Sequence, residues 1–381
     1  MIIIFVKNVY KYTFLMAYFQ QSFIIFTYMN GDYCFTIGLM SGTSLDGIDL
    51  VYVKFNKKNY KSFKILAANT ISYSDKWKNE LKTAIHFSKE DLIILDIEYG
   101  KLLGKEINFF IEKNDIVDLD FIASHGHTIL HQPDKGITLQ VGSGKIISEI
   151  TNQKVVCDFR TQDVNFGGQG APLVPIGDEL LFSNYEFCVN LGGFANVSFK
   201  EKGHRIAFDI CPVNIVLNHY VQKLGFDYDD KGNIAAKGKI NEDLLKELNS
   251  LEFYKKTAPK SLGLEWVLSN ILPIIDGKEK NISIILRTFI EHSAIQIGKI
   301  IQNNGALLIT GGGVFNSFLM KRIEFYSKRK VEIQTIELIN YKEALIFAFL
   351  GLLRVDNQVN CLSSVTGARK NHSAGVIFNP Q

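Results

Sequence analysis

The sequence predicts a mixed α/β protein built from two related halves. Helical and strand-like segments alternate after residue 55 without a long Pro/Gly/Ser linker or a low-complexity tract. A unit of strand, glycine turn and strand also occurs twice, first over residues 35–55 and then over residues 187–199. The repetition of this unit predicts a duplicated lobe.

The composition is that of an ordinary globular protein. The chain has 381 residues, of which 46% are hydrophobic and 21% are charged, and this is enough material for two packed lobes. The net charge of +3 is spread along the chain without a long basic run. We therefore expect neither a nucleic-acid partner nor a membrane-surface partner.

The five cysteines do not form a recognisable framework. They are odd in number, far apart and never in a C-x-x-C pair: Cys34, Cys157, Cys188, Cys211 and Cys361. This pattern indicates neither a disulfide scaffold nor a zinc cluster, and it favours a reducing, cytoplasmic setting.

The first thirty residues are set apart from the rest by their composition. They are rich in Ile, Phe and Tyr, and Lys7 and Lys11 are their only charged residues. Polar residues interrupt the uncharged stretch, and no clear small-residue cleavage site closes it. We interpret residues 1–30 as a non-native or disordered extension, with Met29 opening the functional chain.

In the first half, two predicted strands lead into polar clusters. Apolar spacing between residues 74 and 113 predicts helices, and short apolar runs predict strands at 121–123 and 154–157. The first strand leads into residues 124–128 (SHGHT) and the second into residues 158–160 (DFR). Because open α/β sheets place ligands at strand ends, we expect both clusters to face a ligand.

In the second half, two glycine groups follow predicted strands. Gly192 and Gly193 connect the two strands of the second unit. After a helix predicted over residues 284–302, the strand 306–310 runs into Gly311, Gly312 and Gly313 and then into a helix. Glycine lets backbone N–H groups approach an anion closely, so these turns, with the turn at 41–47, predict a nucleotide phosphate site.

These segments resemble the anhydro-N-acetylmuramic acid kinases, a family in the superfamily of sugar kinases, actin and heat-shock chaperones. The resemblance is carried by residues 37–49 (IGLMSGTSLDGID), 124–126 (SHG), 158–160 (DFR), 167–175 (GGQGAPLVP), 190–194 (NLGGF), 259–261 (PKS), 311–313 (GGG) and 365–368 (VTGA). It covers the chain after the extension. It implies a two-lobed actin-like ATPase fold of duplicated ribonuclease H-like domains around a central nucleotide and sugar cleft. Lobe I is expected at residues 32–180 plus 355–381, and lobe II at residues 187–354.

The resemblance also implies a reaction. ATP would phosphorylate O6 of 1,6-anhydro-N-acetylmuramic acid while water opens the anhydro ring. The product would be N-acetylmuramic acid 6-phosphate, formed in cell-wall (peptidoglycan) recycling. The implied cofactors are ATP and Mg²⁺, the implied partner is a small sugar, and a homodimer is a family-level expectation.

Water attack at the anomeric carbon needs a base, and positioning with charge neutralisation is expected to supply most of the rate. Asp209, in residues 208–214 (FDICPVN), matches the position of the family's base. Without the resemblance, a lone Asp at a strand end, here between an apolar pair and a helical run, more often caps a helix or forms a turn. Partial burial there would raise its pKa toward a useful range.

The resemblance assigns the glycine turns to the nucleotide. The expected contacts are Gly42, Thr43, Ser44, Asp46, Gly47, Asp49, Gly192, Gly193, Gly311, Gly312 and Gly313. Asp46 is expected to orient Mg²⁺ through water, because Mg²⁺ keeps several waters and needs few protein ligands. A surface turn without a metal is the alternative for Asp46, and a structural role is the alternative for Asp49.

The resemblance assigns the sugar to a cleft containing His125, Thr128, Arg160, Asp163 and Glu343. The guanidinium of Arg160 suits the lactyl carboxylate, and an ion pair with Asp158 or Asp163 is the alternative. Glu343 directly precedes the apolar run 344–353, which is predicted to be a helix. A Glu in the first turn of a helix more often interacts with the helix dipole than with a substrate. His125 and His127 alone do not make a metal site.

The chain departs from the usual family pattern at several positions. Cys211 and Val213 replace two glycines near the proposed base, and their side chains are expected to fill space that a ligand needs. Gln162 stands where many members have a basic residue, and Leu262 and Leu264 replace polar residues. These departures leave open a divergent kinase for another amino or anhydro sugar, or a paralogue that binds without efficient turnover.

Two functions of other classes are the alternatives. An actin-like or chaperone-like ATPase with no sugar substrate would use the same glycine turns, but the segments 125–126 and 167–175 match the sugar kinases. The second alternative is a non-catalytic sugar sensor. Against it, no helix-turn-helix segment or basic arm that could bind DNA precedes Phe35.

Overall fold

The computed structural model describes residues 31–42, 45–302 and 305–380. Its strands are β1 (Tyr33–Ser41), β2 (Ile48–Asn56), β3 (Phe63–Ile71), β4 (Phe121–Gln132), β5 (Ile137–Val141), β6 (Val155–Cys157), β7 (Phe187–Leu191), β8 (Phe194–Glu201), β9 (His204–Pro212), β10 (Leu307–Thr310) and β11 (Val376–Phe378). The extension predicted at residues 1–30 lies outside the described residues, as do Thr43 and Ser44.

The helices connect and cover these strands. They are α1 (Asp75–Thr83), α2 (Lys89–Lys113), α3 (Gly144–Thr151), α4 (Thr161–Asn165), α5 (Pro175–Leu180), α6 (Asn214–Val221), α7 (Asn233–Lys237), α8 (Glu242–Ser250), α9 (Leu264–Asn270), α10 (Leu272–Lys278), α11 (Ile282–Ile300), α12 (Ser317–Ser327), α13 (Ile336–Val355) and α14 (Ser363–Thr366). Short 3₁₀ segments occupy Ala84–His86, Pro133–Lys135, Gln222–Leu224, Asp230–Gly232, Glu252–Lys255 and Gly312–Phe315.

The strands form two sheets with the same core order. In the first sheet, β1, β2 and β3 form an antiparallel meander, β4 lies parallel to β1, and β6 lies parallel to β4. β5 and β11 add antiparallel strands to β4 and β6. In the second sheet, β7, β8 and β9 form the meander and β10 lies parallel to β7. A meander with a parallel strand beside its first strand thus occurs twice, and the predicted duplicated, ribonuclease H-like α/β fold is confirmed.

The helix α13 packs closely on the first sheet. A Cβ at Gly38 of β1 would overlap the Ala344 carbonyl, and a Cβ at Gly351 would lie 2.7 Å from the Cβ of Ala123 on β4. The helix also contacts β10 of the second sheet. It therefore lies between the sheets, although the sequence places most of it in lobe II, and the division into lobes stays a prediction.

Two predicted strand ends are wrong. β4 continues through the whole polar cluster at 124–128, so His125 and His127 lie within a strand and not after it. β9 likewise continues past Asp209 to Pro212. In both cases polar residues interrupt the apolar pattern without interrupting the backbone hydrogen bonds. The cluster at 158–160 does follow its strand, β6.

None of the helices in the described residues combines the length and hydrophobicity that a membrane-spanning segment requires.

Candidate active site

A row of polar side chains crosses the second sheet. Asn190 on β7 pairs with Asn196 on β8, and Asn196 pairs with Asp209 on β9. Paired residues of adjacent strands point to the same face of a sheet. Further along this face, Cys188 packs in the same hydrophobic cluster as α13. The row therefore continues the face that packs toward α13 and the first sheet.

The predicted base, Asp209, is held at one oxygen. Its Oδ2 accepts a hydrogen bond of 2.8 Å from the backbone N–H of Leu262. Burial raises the pKa of Asp209 above its ordinary value, and the Leu262 N–H partly opposes this shift. A carboxylate whose proton affinity is increased by burial is a better proton acceptor than an exposed one.

Two departures from the family pattern near this carboxylate lie in the protein core. Cys211 and Val213 are fully buried in the hydrophobic core of the second sheet. Val213 has φ of −135°, so the backbone there does not require glycine. Both side chains thus pack in the core of this sheet, and their effect on ligand binding stays a prediction. Leu262 meets Asp209 through its backbone, so the apolar side chain does not remove that contact.

The two glycine groups of the second sheet lie against one another. Gly311 has φ of +87°, and a Cβ on it would lie 2.5 Å from Oδ1 of Asn190. A Cβ on Gly313 would lie 2.8 Å from the Cβ of Leu191. Gly193 accepts backbone hydrogen bonds from Val213 and Ile215 at the start of α6. The structure thus brings together the predicted contacts Gly192, Gly193, Gly311, Gly312 and Gly313, with Gly312 open on its Cβ side.

The turn of the first sheet is described only in part. Leu45 donates its N–H to the Gly42 carbonyl at 3.2 Å, and Asp46 is exposed. Gly47 packs against β3, where a Cβ would lie 2.6 Å from the Ile71 carbonyl. The predicted phosphate contacts Thr43 and Ser44 lie outside the described residues.

Asp49 is fixed beside this turn. Its Oδ1 accepts a hydrogen bond of 2.6 Å from Thr70, whose hydroxyl also lies 3.2 Å from that of Tyr341 on α13. Burial raises the pKa of Asp49, the Thr70 hydrogen bond opposes this, and Asp46 adds to it. Asp49 therefore faces the helix that separates the sheets.

Glu343 lies in the second turn of α13 and not at its start. The helix begins at Ile336 and Thr335 caps it, so a role of Glu343 in the first turn of a helix is wrong. Burial raises the pKa of Glu343, Lys342 and Arg160 oppose the shift, and Asp49 adds to it. Glu343 thus senses the charges of Lys342, Arg160 and, to a smaller extent, Asp49.

Lys342, the neighbour of Glu343, forms a buried ion pair. Its Nζ lies 2.7 Å from Oδ1 of Asp178 on α5, and both side chains are almost wholly buried. The other oxygen of Asp178 accepts a hydrogen bond from Ser198 on β8. The pair thus ties α13 to the second sheet.

Arg160 binds His125. Its Nε and Nη2 lie 3.0 and 2.9 Å from His125 Nε2, and its Nη1 donates to the Gly170 carbonyl at 2.7 Å. No carboxylate of the described residues forms a salt bridge with this guanidinium, so the alternative of an ion pair with Asp158 or Asp163 is wrong. The imidazole also packs on Phe347 of α13, with ring centroids 4.5 Å apart.

A bulge separates the two histidines of β4. Leu39 pairs with Ser124, but Ser41 pairs with His127, so β4 has one extra residue there, and Gly126 adopts φ of +71°. His125 faces Phe347 on α13, whereas Nδ1 of His127 lies 2.9 Å from Ser41 Oγ. The two imidazoles therefore lie in separate environments.

Asp163 lies in a buried hydrogen-bond cluster. Its Oδ1 accepts from Thr366 at 2.8 Å and from the Cys361 thiol at 3.0 Å, while its Oδ2 accepts from the Gly170 N–H at 2.7 Å. Asp163 is fully buried, so its oxygens serve these partners. Thr128 lies on β4 opposite Gln140 of β5. The structure thus joins His125 to Arg160 directly, whereas Asp163 is linked to Arg160 through Gly170.

A pocket of about 250 Å³ opens between β4, β5 and the N-terminus of α3. Its polar lining includes Asp96, Ser124, His125, Gln140, Asp158 and Thr161. Of the five predicted sugar-binding residues, His125 lines this pocket.

Comparison with known proteins decides the family. A family model described as anhydro-N-acetylmuramic acid kinase matches residues 34–380. The chain belongs to the anhydro-N-acetylmuramic acid kinase family. A curated family member from Clostridioides difficile is 36% identical, over 90% of this chain and 98% of that protein. A family member from Acinetobacter baylyi is 32% identical, over 90% of this chain and 98% of that protein. The resemblance inferred from the motifs is confirmed, as is the predicted enzyme class, an ATP-dependent sugar kinase.

Solved structures give a weaker likeness. One is an activator of 2-hydroxyisocaproyl-CoA dehydratase from Clostridium difficile with bound ADPNP. It has a TM-score of 0.40 and 12% identity, and the likeness covers 84% of this chain and 97% of that one. The family assignment rests on the sequence relatives.

Several residues that contact or adjoin the predicted site residues, or their partners, were not predicted from the sequence. They are Thr70, Asn190, Asn196, Tyr341 and Lys342. Asn190 and Asn196 carry a signal that was available, because each is a polar residue at a regular position in an otherwise apolar strand. Thr70 and Tyr341 are joined by a contact between residues 271 positions apart, which no local pattern encodes.

Proposed function

We propose that this kinase phosphorylates O6 of 1,6-anhydro-N-acetylmuramic acid with ATP while water opens the anhydro ring. The product is N-acetylmuramic acid 6-phosphate, and the process is cell-wall recycling. The observation that carries the proposal is Asp209, a largely buried carboxylate of raised pKa at the family's base position, in one row with Asn190 and Asn196. Family membership supplies the substrate.

In this proposal Asp209 accepts the proton of the attacking water. Its Oδ2 is held by the Leu262 N–H, which leaves Oδ1 for the water. The Leu262 bond fixes the plane of the carboxylate, and burial increases its affinity for the proton. The anhydro C1–O bond breaks as the water oxygen bonds to C1 and one water proton passes to Asp209. The released oxygen on C6 attacks the γ-phosphoryl group, the bond from the γ-phosphorus to the β–γ bridging oxygen breaks, and ADP leaves.

The glycine turns are proposed to hold the phosphates of ATP. Gly311 takes a positive φ, and Gly312 leaves open space on its Cβ side, so the backbone after β10 offers a close approach for a ligand. Gly192 and Gly193 lie beside it, and Gly42 and Gly47 belong to the turn of the first sheet. The side-chain amide of Asn190, which lies next to Gly311, is proposed to form a hydrogen bond with this glycine turn or with an oxygen of the ligand.

The residues present fit Mg²⁺. Asp46 offers an exposed carboxylate on the first turn, and Asp49 keeps Oδ2 free of the Thr70 bond. Oxygen donors of this kind suit a hydrated Mg²⁺, which would neutralise phosphate charge. We assign Asp46 as the residue that would hold it through water, with Asp49 beside it.

For the sugar, we assign the lactyl carboxylate to Arg160. Three of the five guanidinium N–H groups are used by His125 and Gly170, which leaves one on each Nη. These two can donate end-on to a carboxylate. Thr128 and Glu343 are proposed as further contacts, and Asp163 acts indirectly by holding the Gly170 loop. The proposal keeps lobes at residues 32–180 plus 355–381 and 187–354, a cytoplasmic setting and a homodimer.

The experiment follows the mass of the sugar product in ¹⁸O-labelled water. The full-length protein is incubated with Mg-ATP and the anhydro sugar, with N-acetylglucosamine and N-acetylmuramic acid as comparison substrates. The proposal expects a product that gains one phosphoryl group and one labelled water oxygen. Faster phosphorylation of a comparison sugar would support a divergent kinase instead. ATP hydrolysis that no sugar stimulates would support the chaperone-like alternative.

A further inference from the structure

Asp163, Cys361 and His372 bring three different ligand groups together in the interior. One atom from each side chain, a carboxylate oxygen, the thiol sulfur and an imidazole nitrogen, lies within 4.8 Å of the other two. Asp163 is fully buried, Cys361 is 1% exposed and His372 is 6% exposed. Asp163 comes from α4, whereas the other two flank α14 near the end of the chain.

The imidazole of His372 presents an unpartnered nitrogen to this cluster. Its Nδ1 lies 3.1 Å from the Lys370 carbonyl, which only accepts, so the ring proton sits on Nδ1. Nε2 then carries a lone pair, is buried, and has no hydrogen-bond partner among the described residues. It lies 3.5 Å from Oδ1 of Asp163. Two buried acceptors that face each other are unfavourable unless a proton or a cation lies between them.

We propose that Asp163, Cys361 and His372 bind one divalent transition-metal ion of the zinc class. Thiolate, imidazole and carboxylate form a ligand set that zinc takes in proteins, and thiolate disfavours Mg²⁺. Tetrahedral zinc bonds produce edges of roughly 3.5 Å between sulfur and oxygen and roughly 3.3 Å between nitrogen and oxygen. The nitrogen lies 3.5 Å from Oδ1, and the sulfur, which now donates its proton to Oδ1 at 3.0 Å, would move outward when the ion replaces that proton. The fourth ligand would have to come from water. The Nδ1–H bond to the Lys370 carbonyl is the usual support for a metal-bound histidine.

Binding replaces a proton with the metal. The Cys361 S–H bond, which donates to Asp163 without a metal, breaks; the sulfur bonds to the ion and the proton passes to solvent. Metal affinity is therefore expected to rise with pH.

The ion would join residues 361–372, near the end of the chain, to the loop between α4 and α5 that contains Gly170. Cys361 and His372 already exchange backbone hydrogen bonds, of 3.1 and 3.2 Å. Asp163 uses Oδ2 for the Gly170 N–H, and the Gly170 carbonyl accepts from Arg160. The site is thus structural, goes beyond the proposed reaction, and does not depend on the identity of the sugar.

The test uses Co²⁺ as a spectroscopic probe of the full-length protein. After dialysis against a chelator and then against buffer, the protein is titrated with Co²⁺ in the presence of excess Mg²⁺. We expect one Co²⁺ per chain and a thiolate-to-cobalt charge-transfer absorption in the near ultraviolet. Cys361→Ser is expected to abolish this absorption, while Cys157→Ser, which removes a cysteine outside the cluster, keeps it. A wild-type protein that binds no Co²⁺, or an absorption that survives Cys361→Ser, overturns the proposal.

Two further measurements do not depend on folding of the serine variant. His372→Gln is expected to keep the thiol but to weaken Co²⁺ binding at least tenfold, since a ligand is lost. In the wild type, Zn²⁺ is expected to raise Tm in a concentration-dependent way and a chelator to reverse the rise. An unchanged affinity in His372→Gln, or a Tm insensitive to both additions, contradicts the site and leaves the proposed kinase reaction unaffected.

Discussion

Nε2 of His125 accepts from Arg160, with Nε and Nη2 of the guanidinium at 3.0 and 2.9 Å. Since this nitrogen accepts, the proton of the imidazole sits on Nδ1 and is donated to the Gly126 carbonyl at 2.9 Å. Burial lowers the pKa of His125 well below its ordinary value, and the Arg160 charge lowers it further. His125 is therefore a neutral group that orients the guanidinium of Arg160 beside the cleft.

Arg160→Lys is expected to weaken both the fold and sugar binding. A lysine keeps the charge but loses the planar fork, so buried acceptors on His125 and Gly170 lose donors. We expect a decrease of about 1–3 kcal/mol in the free energy of unfolding, measured by urea denaturation, and a higher KM for the sugar. Arg369→Lys, at an exposed arginine, is the control. Equal behaviour of the two variants contradicts the role of the Arg160 fork.

The stability of the protein is expected to fall as the pH is lowered, in part through His127. Burial lowers the pKa of His127 to about 4, whereas an unfolded histidine titrates near 6.5. Below about pH 6.5 the unfolded chain takes up a proton that folded His127 refuses, so stability declines by about 1.4 kcal/mol per pH unit from this group. His127→Asn removes that contribution and places an amide near Ser41. Urea denaturation between about pH 7 and pH 5 is expected to show a shallower decline in the variant; identical slopes contradict the account.

Gly312→Ala is expected to impair nucleotide binding without unfolding the protein. A Cβ there meets no atom within 4 Å, so the methyl group leaves the fold undisturbed but would stand between the backbone and a ligand bound at this turn. We expect KM for ATP to rise by about tenfold, which corresponds to roughly 1.4 kcal/mol, with Tm unchanged. Gly277→Ala is the matched control, since its Cβ also meets nothing. Gly311→Ala is expected to lower Tm, because it combines φ of +87° with overlap at Asn190. An ATP KM unchanged in Gly312→Ala removes this turn from the nucleotide site.

Asp178→Asn is expected to be strongly destabilising. The change leaves the buried ammonium of Lys342 without its charge partner, and loss of one member of a buried pair costs about 3–5 kcal/mol. The free energy of unfolding measures the effect. Glu98→Gln breaks the exposed pair with Lys101, also at 2.7 Å, and is expected to cause no measurable change. A small effect in Asp178→Asn shows that the pair does not tie α13 to the second sheet.

The fold was predictable where the determinants are local. The strand pairs at Gly192 and Gly193, the strand before Gly311 and the helix after it follow from apolar runs and glycine turns. The ends of the strands could not be predicted in the same way. The polar residues 124–128 remain hydrogen-bonded within β4, and the bulge at Gly126 changes the direction of the side chains that follow it. The start of α13 was missed because Asn340, Lys342 and Glu343 interrupt its apolar pattern.

The site was predictable where a motif carries it. Asp209, Arg160 and the glycine turns belong to the family segments. Asp163 shows the limit: its hydrogen bonds to Cys361 and Thr366 join residues about 200 positions apart, and only the folded chain brings them together. The cysteine spacing indicated no metal cluster for the same reason, since the partners of Cys361 are distant carboxylate and imidazole groups.

The central claim is that Asp209 accepts the proton of the water that opens the ring. Asp209→Asn keeps an oxygen to accept the Leu262 N–H bond and so is expected to preserve folding and sugar binding. The decisive measurement is single-turnover formation of phosphorylated sugar from bound Mg-ATP and anhydro sugar, with Asp230→Asn, at an exposed aspartate, as the control. We predict a loss of at least about 10²-fold in Asp209→Asn and none in the control. Turnover of Asp209→Asn at a rate near that of the wild type would contradict the account.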